Sequence, residues 1–160
     1  MDHTPEIVFK PVESPEDWEA AKAIRQEVFI YEQACPPEEE WDAYDASAHH
    51  VLGWVEGKAV ATARWREVQE EGEPAAKVER FSVLQNYRGR GYGRELVKHV
   101  LDEVKKAGYS TIVLHAQSHL EPFYSSFGFE RVSDIFWEAG IPHVKMRLDV
   151  GNLEKKQGVT

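Results

Sequence analysis

The spacing of hydrophobic residues changes along the chain between the two-residue period of a strand and the longer period of a helix. Apolar or alternating stretches predict seven strands, at residues 6–12, 50–54, 59–65, 76–84, 111–115, 129–137 and 143–150. Apolar residues three and four positions apart predict helices over 15–29, over the stretch from Gly93 to Gly108, and over 120–127. This order predicts one mixed α/β domain over residues 1–150, followed by a C-terminal tail over 151–160.

One long stretch, Tyr31 to Ala48, has no clear period and contains Pro36-Pro37. It is interpreted as a long loop, or as a loop that contains a short helical turn. Loops of this length in compact domains are usually functional or mobile. The stretch is therefore a candidate for part of a binding site.

The charge of the chain is negative and unevenly distributed. Its 160 residues include 19 Lys and Arg against 28 Asp and Glu, a net charge of −9. Residues 1–80 hold 8 basic and 19 acidic side chains, or −11, and residues 81–160 hold 11 and 9, or +2. This balance argues against sequence-independent nucleic-acid binding, which needs a basic surface. It fits either two ligand preferences on one surface or simply solvated helix faces.

Several other classes of protein are disfavoured by composition. No apolar run approaches the roughly 20 residues of a membrane helix, so no membrane partner is expected. The N-terminus has no basic segment followed by an apolar one, and a cytoplasmic location is expected. The single cysteine, Cys35, can form no intrachain disulfide, and it is expected to be inert. His49 and His50 are adjacent and would point to opposite faces of a strand, so no metal site is predicted.

A glycine-rich segment, Arg88-Gly89-Arg90-Gly91-Tyr92-Gly93, lies between a predicted strand and a predicted helix. Glycines there allow a tight turn whose N–H groups, with the helix N-terminus, can face an anion such as a pyrophosphate. Such a turn can also simply connect two elements. The segment has no Gly-Lys-Ser/Thr ending and lacks the dinucleotide-binding spacing, so a P-loop and a Rossmann site are both disfavoured.

This segment resembles the acyl-CoA loop of the GCN5-related N-acetyltransferases (GNAT), whose pattern is Gln/Arg-x-x-Gly-x-Gly/Ala. Arg88, Gly91 and Gly93 occupy the pattern positions. Further segments, spread over nearly the whole chain, look like the ElaA/YjcF-like branch of this superfamily. They are Val28-Phe29-Ile30-Tyr31-Glu32-Gln33 with Pro36 or Pro37, Glu40 and Asp42; His115-Ala116-Gln117; Pro122-Phe123-Tyr124 with Phe127-Gly128-Phe129; and Gly140-Ile141-Pro142-His143.

The resemblance implies a fold and a donor site. The fold is a central, mixed but mostly antiparallel twisted sheet of about six to seven strands, flanked by helices and splayed between its two central strands. The donor is acetyl-CoA, with no metal. Backbone N–H groups of Phe81, Ser82 and Val83 would hold the thioester carbonyl. The pyrophosphate would lie on the loop, which gives the cofactor-binding residues Arg88, Gly89, Arg90, Gly91, Tyr92, Gly93 and Arg94.

The resemblance also assigns catalytic candidates. Tyr124 matches the tyrosine that protonates the departing thiolate, and its position in the motif favours this role over that of an aromatic residue packed under the helix. Glu79 is the candidate general base, with Glu32, His115 and His143 as rivals. An ion pair with Arg80 or Lys77 is an equally good interpretation of Glu79.

The acceptor is expected to bind near the unperiodic stretch and the later motifs. Residues 31–45 contain six acids and no Lys or Arg, which would attract a cationic amine if this stretch lines the acceptor cleft. The predicted acceptor-binding residues are Glu32, Gln33, Asp42, His115, Gln117 and His143.

The sequence thus predicts an acetyl-CoA-dependent N-acetyltransferase that acts on a primary amine of a small molecule or a peptide. The alternative from another class is a non-catalytic acyl-CoA-binding module with a sensing or regulatory role. Homodimers are frequent in the superfamily, and the sequence leaves self-association open.

Overall fold

A computed structural model describes residues 4–151. The tail predicted over 151–160 lies outside the described residues except for its first position. The helices are α1 (Pro15–Arg25), α2 (Pro37–Glu40), α3 (Tyr92–Lys106) and α4 (Glu121–Ser125), with a π-helical turn over Gln26–Glu32. Short 3₁₀ turns cover Ala43–Ala46, Gln85–Tyr87 and Ser118–Leu120. No helix within residues 4–151 is long and apolar enough to cross a membrane.

The first helix begins where the sequence predicts but continues differently. The hydroxyl oxygen of Ser14 accepts a hydrogen bond from the N–H of Asp17 at 3.0 Å, and Pro15 occupies the first turn. After Arg25 the backbone winds as a π-helix, and the N–H of Gln33 donates to the carbonyl of Val28 at 3.2 Å. The predicted end at Phe29 is therefore wrong, because helical structure continues to Glu32.

The unperiodic stretch contains two short helical turns. Pro37 begins α2, and the Asp42 carboxylate accepts from the N–H of Tyr44 at 3.0 Å, which starts the 3₁₀ turn at Ala43. Proline at a first helical position and aspartate at a cap are ordinary helix-start residues. The interpretation as a loop with a helical turn is confirmed.

The strands are β1 (Ile7–Pro11), β2 (His49–Val55), β3 (Lys58–Glu70), β4 (Glu73–Val83), β5 (Thr111–Gln117), β6 (Glu130–Arg131), β7 (Phe136–Glu138) and β8 (Ile141–Asp149). Pairing is mostly antiparallel, with β4 and β5 parallel, so the predicted mixed sheet is confirmed. The predicted single strand over 129–137 is wrong. The Ser133 hydroxyl accepts the N–H of Lys145 at 2.8 Å, where a continuous strand would offer a backbone carbonyl.

Contacts divide the chain into two compact units, which we describe separately. The first contains the described residues up to Arg66 and Arg80–Glu103. In it, β1, β2 and β3 pair antiparallel in that order. Ala21, Ile24 and Val28 of the first helical segment are buried in one cluster with Leu52 of β2.

The second unit contains Glu67–Glu79 and the described residues from Val104 onward. In it, β4 pairs with β5, β5 with β8, and both β6 and β7 with β8. The β4–β5 ladder consists of two pairs, Ala76 with Ile112 and Lys77 with Val113, although β5 continues to Gln117. The predicted splay between these two strands stays a prediction. That residues 1–150 form a single domain stays a prediction.

Candidate functional site

The glycine loop joins β4 to α3 through two residues with left-handed backbone. Gly89 and Gly91 have φ angles of 77° and 86°, a region that residues with a Cβ rarely adopt. The helix begins at Tyr92, and the N–H of Glu95 donates to the Gly91 carbonyl at 3.1 Å. Three basic side chains at this end of the helix are exposed: Arg88, Arg90 and Arg94. The loop therefore combines an open helix N-terminus with positive charge, which suits an anionic group.

Arg88 has two sets of partners within the first unit. Its Nε donates to the Val83 carbonyl at 2.9 Å, at the end of β4. Its two terminal nitrogens bind both carboxylate oxygens of Glu32, with Nη2 to Oε1 at 2.8 Å. This hydrogen bond is the main reason that the pKa of Glu32 lies below its ordinary value. The loop is thereby fastened both to the strand before it and to the π-helical turn.

Tyr92 is buried, and its hydroxyl donates to the carbonyl of Pro5. Its side chain thus anchors the start of α3 within the first unit. A cofactor role of Tyr92 would therefore fall to its backbone N–H.

The end of β4 contains a break in the regular strand conformation. Arg80 has a φ of 60°, in the left-handed region, where a strand residue would have a strongly negative φ. The Ser82 hydroxyl donates to the Arg80 carbonyl at 3.1 Å. Ser82 is buried, whereas Phe81 and Val83 are half-buried. The three residues predicted to bind the thioester follow this break directly.

A network of six charged side chains, the arginine–carboxylate network, lies in the first unit. Arginines from α1, β3 and β4 meet carboxylates from residues 40–45; the members are Arg25, Arg64, Arg80, Glu40, Asp42 and Asp45. Arg25 and Arg64 are each 1% exposed and Glu40 is 2% exposed. Such burial is tolerated because each charge has an opposite partner and further hydrogen bonds.

The contacts in the network are short and often two-pronged. Arg64 binds both oxygens of Asp42 at 2.8 Å, and its Nη1 lies 2.7 Å from Asp45 Oδ1. Arg25 binds Glu40 Oε1 and Asp45 Oδ1, each at 2.6 Å. Arg80 completes the set, with Nε 3.2 Å from Glu40 Oε2 and Nη2 3.3 Å from Asp42 Oδ2.

The network changes the pKa values of its carboxyl groups in different directions. Hydrogen bonds from Arg64 lower the pKa of Asp42 to about 2. Burial is the largest influence on Asp45 and raises its pKa, but the hydrogen bonds and charges of Arg25 and Arg64 prevail and lower it. Burial prevails at Glu40 and raises the pKa of that carboxyl.

A second group of polar side chains lies in the second unit. Glu138 of β7 contacts two histidines. Its Oε1 lies 2.6 Å from Nδ1 of His115 in β5, and its Oε2 lies 3.8 Å from Nε2 of His143 in β8. The hydrogen bond to His115 is the main reason that the pKa of Glu138 is lowered. Lys77 Nζ is 3.5 Å from both His115 Nδ1 and Glu79 Oε1. The group combines acceptors and donors that can exchange protons.

Tyr124 lies on α4 and is 7% exposed. Its ring packs edge-on against Phe123 and Phe129. Burial raises the pKa of the Tyr124 hydroxyl well above its ordinary value, so the group is protonated at neutral pH. The same burial makes loss of this proton less favourable than for an exposed tyrosine.

The first unit also contains an open pocket of about 680 Å³. Apolar residues of α1, among them Ala20, Ala23 and Ile24, form part of its wall. Polar groups at the wall include Glu27 and Glu32. Lys58 also lies at the wall and Glu32 is bound by Arg88, so the pocket combines an apolar face with charges of both signs.

Comparison with known proteins decides the family. The family model described as "Acetyltransferase (GNAT) domain" matches residues 9–150. The chain belongs to this family.

This GNAT protein also has relatives in the ElaA/YjcF-like branch, which its motifs predict. It is 35% identical over 127 residues to the Bacillus subtilis protein named uncharacterized N-acetyltransferase YjcF, covering 79% of this chain and 88% of that protein. It is 34% identical over 129 residues to Escherichia coli protein ElaA, covering 79% and 84%. The ElaA crystal structure matches with a TM-score of 0.79 over 90% of this chain and all of that chain, at 29% identity.

A third match is the crystal structure of an acyl-CoA N-acyltransferase from Pseudomonas aeruginosa. The two are 29% identical, with a TM-score of 0.77 over 89% of this chain and 99% of that chain. The predicted family, branch and fold class are therefore confirmed.

Within this GNAT fold, the predicted site residues fall into two sets. The loop residues and Phe81–Val83 belong to the first unit, and Glu79, His115, Gln117, Tyr124 and His143 to the second. Gln117 pairs with His143 in the β5–β8 register. The assigned roles of all these residues stay predictions.

Two predicted acceptor residues have arginine partners. Glu32 binds Arg88, and Asp42 binds Arg64 and Arg80. The six acids of residues 31–45 are therefore not all available to attract a cation, since four of them neutralise arginines. Gln33 is half-buried in the same segment and is not among the residues of the 680 Å³ pocket wall.

Sequence reasoning missed Glu138 and the arginine–carboxylate network. Arg25 follows the buried Ile24 within the predicted amphipathic helix 15–29, and Arg64 interrupts an apolar predicted strand. Arginines at buried positions require acidic partners, and this was the available signal. The nearest acid-rich stretch, residues 38–45, supplies those partners.

Proposed function

We propose that this GNAT protein is an N-acetyltransferase that transfers the acetyl group of acetyl-CoA to a primary amine of a small molecule or a peptide. The amine nitrogen attacks the thioester carbonyl carbon, a C–N bond forms, and the C–S bond breaks. The CoA thiolate leaves with the electron pair and takes up a proton. The attacking nitrogen loses its extra proton to a base.

The proposed acetyl-CoA site lies at the glycine loop, and the conformation of this loop is the main support for the proposed function. Gly89 and Gly91 turn the chain so that it opens directly into α3, with Arg88, Arg90 and Arg94 exposed around the turn. In the proposal, the pyrophosphate of acetyl-CoA binds the loop backbone and these side chains. The N–H groups of Phe81–Val83 bind the thioester oxygen, where negative charge develops during attack.

The proton-transfer half rests on residues of the second unit. Tyr124 is proposed as the general acid because it matches the tyrosine of the family motif; the burial that raises its pKa disfavours proton release, so the role requires that the bound thiolate lie directly beside the hydroxyl. Glu79 is proposed as the general base; its side chain is mostly buried, and Lys77 is its neighbour at 3.5 Å. His115 and His143, joined through Glu138, are proposed to bind the acceptor.

The proposed class of acceptor follows from the carboxylates that lie near the predicted acceptor-binding residues of the second unit. We propose an acceptor that is a cation before reaction, because Glu138 and Glu79 place carboxylates beside the proposed acceptor residues.

Ligand-induced stabilisation tests the donor site without knowledge of the acceptor. Thermal unfolding is measured with acetyl-CoA, with CoA, and with ATP as a second anionic nucleotide. A ligand that binds only the native state at a hundredfold excess over its Kd stabilises by about 2.7 kcal/mol. We expect a rise in Tm with both CoA species and little change with ATP. No rise with either CoA species would contradict the proposal.

Turnover separates the enzyme from a non-catalytic acyl-CoA-binding module. CoA release from acetyl-CoA is followed with a thiol reagent over a panel of polyamines, aminoglycosides, amino acids and peptides. Acceptor-dependent thiol release supports the transferase. Stabilisation by acetyl-CoA with no thiol release for any amine favours the binding module.

A further inference from the structure

We infer that the arginine–carboxylate network positions the β4 backbone for catalysis, and that it acts through Arg80. The inference rests on the proposed function, because it concerns the N–H groups of Phe81–Val83 that are proposed to bind the thioester oxygen. Arg80 is thus a positioning residue, and its guanidinium needs no contact with either substrate.

The first observation is the conformation of Arg80. Its φ of 60° lies within a strand that runs from Glu73 to Val83. A Cβ disfavours this region of φ, and the conformation persists only where surrounding groups hold it. One left-handed residue changes the directions in which the following N–H groups point. The orientation of Phe81–Val83 therefore depends on whatever holds Arg80.

The second observation is that the network holds the Arg80 side chain on two sides. Its Nη2 donates to the Glu40 carbonyl at 3.2 Å and to Asp42 Oδ2 at 3.3 Å, and its Nε lies 3.2 Å from Glu40 Oε2 as an ion pair without hydrogen-bond geometry. The planar guanidinium requires a fixed arrangement of acceptors, so these contacts constrain its orientation as well as its position.

The third observation is that the acceptors on which Arg80 depends are themselves immobilised. Glu40 is bound by the Arg25 Nε through its carboxylate at 2.6 Å, and by the Arg25 Nη2 through its carbonyl at 3.1 Å. Asp42 is bound by Arg64 through both oxygens. Helix α1 and strand β3 thus fix the partners of a residue on β4.

Stability alone does not account for this arrangement. Buried charged groups are often replaceable by apolar residues of similar volume with little loss of stability, because desolvation offsets much of their attraction. A glycine at position 80 would adopt the same φ without any network. The network contacts the side chain of the left-handed residue beside the proposed thioester site. It can therefore hold the backbone in this conformation although residue 80 is an arginine and not a glycine.

The experiment measures the polarisation of the thioester carbonyl directly. Acetyl-CoA labelled with ¹³C at the carbonyl is bound to the protein, and its C=O stretch is recorded by difference infrared spectroscopy. A hydrogen bond from backbone N–H lowers this stretch. The same samples give the ratio of the Kd of CoA to the Kd of acetyl-CoA, since only acetyl-CoA has the carbonyl. Neither readout requires the acceptor.

Arg80→Ala and Arg80→Gly form the decisive pair. Both lose the network contacts, but only alanine retains a Cβ that disfavours the left-handed φ. We expect Arg80→Ala to lose most of the carbonyl shift and to reduce the Kd ratio roughly tenfold, about the value of one hydrogen bond. We expect Arg80→Gly to retain most of both. The same result, loss or retention, for alanine and glycine would overturn the inference.

Asp42→Asn tests the network without changing Arg80. It keeps the side-chain shape but weakens the hold on Arg80, so a partial loss of the carbonyl shift is expected, with restoration in the Asp42→Asn/Arg80→Gly double variant. Glu71→Gly is the matched control, because Glu71 also has a left-handed φ, of 53°, in the β3–β4 turn. An unchanged carbonyl shift in folded Asp42→Asn would contradict the inference. A loss of the carbonyl shift in Glu71→Gly as large as that in Arg80→Ala would also contradict it.

The wild-type protein separates this failure from failure of the proposed function. If wild type does not bind acetyl-CoA, the proposed function fails and the inference with it. If wild type binds acetyl-CoA and lowers the carbonyl stretch, but Arg80→Ala and Arg80→Gly behave alike, the transferase proposal stands and only the role of Arg80 fails.

Discussion

Glu32 and Arg88 lie 56 positions apart in the sequence and bind each other through both carboxylate oxygens and both terminal guanidinium nitrogens. Arg88 is the first residue of the glycine loop. The same guanidinium is proposed to contact the pyrophosphate of acetyl-CoA. The Glu32 carboxylate and the pyrophosphate therefore compete for one cation.

Removing this competitor should strengthen donor binding. We expect Glu32→Gln to lower the Kd for acetyl-CoA roughly three- to fivefold, since partly exposed ion pairs contribute up to about 1 kcal/mol. Isothermal titration calorimetry at low and high salt measures the effect, which should decrease as salt screens the ion pair.

The matched control for this prediction is Glu19→Gln. Glu19 pairs with Lys22 on α1, in the same unit as Arg88, and its side chain is 70% exposed. We expect no change in the Kd for acetyl-CoA. Weaker acetyl-CoA binding by Glu32→Gln would indicate that Glu32 instead helps Arg88 to hold the donor.

Tyr124→Phe should separate chemistry from binding. We expect kcat to fall by about 10²-fold or more, as for the loss of a general acid, with an unchanged Kd for acetyl-CoA. The measurement is steady-state thiol release with an accepted amine. Tyr109→Phe is the control, because Tyr109 lies in the same unit and its hydroxyl binds Glu67 at 2.6 Å. An unchanged kcat in Tyr124→Phe would leave this tyrosine with a packing role.

Glu79 and His115 should differ in which kinetic constant they affect. We expect Glu79→Gln to lower kcat by about 10²-fold and to alter the acidic limb of its pH profile, because it removes the proposed base. We expect His115→Gln mainly to raise the KM for the amine. The reverse result would assign the base to His115, oriented by Glu138. Glu67→Gln, a change of an exposed glutamate in the same unit, controls for loss of charge.

The network should make stability depend on acid pH. Asp42 has a pKa of about 2 in the folded protein against an ordinary value of 3.8. The unfolded chain therefore binds more protons between these values, and stability falls as pH decreases from about 4 towards 2. Asp45 acts in the same direction, whereas the raised pKa of Glu40 acts in the opposite one.

Urea unfolding at pH 5, 4 and 3 tests this dependence. We expect the free energy of unfolding to fall less steeply over this range in Asp42→Asn than in wild type, since the variant cannot lose the charge. Asp102→Asn, which changes an exposed residue of α3, should follow wild type. Equal slopes for wild type and Asp42→Asn would contradict the assigned titration of Asp42.

The fold and the glycine loop were predictable because their signals are local. Residues 111–114 are apolar or β-branched, and the glycines at 89 and 91 adopt a positive φ without the steric cost that a Cβ would bring. The break in the predicted strand 129–137 was not predictable in this way. It depends on Ser133 meeting Lys145, which are twelve residues apart and brought together by the sheet.

The partners of charged residues were also beyond local patterns. The acids of residues 31–45 predict an attraction for a cationic amine when taken alone. The arginines that neutralise Glu32, Glu40, Asp42 and Asp45 come from four other positions in the chain, which a local pattern does not connect to them. The tertiary fold alone decides whether an acidic stretch faces solvent or internal cations.

The π-helical turn changes which residues of the first helical segment share a face. In a regular α-helix, positions i and i+7 share a face, so Arg25 and Glu32 would project to the same side. The wider π winding changes this phase, and Arg25 is buried in the network while Glu32 is partly exposed beside Arg88. Deleting a single residue between 26 and 32 would restore the α-helical winding. Because the π winding holds one residue more per turn than the α winding, Glu32 would keep nearly its present angle to Arg25, and the buried end of the helix would stay in phase with the loop contact.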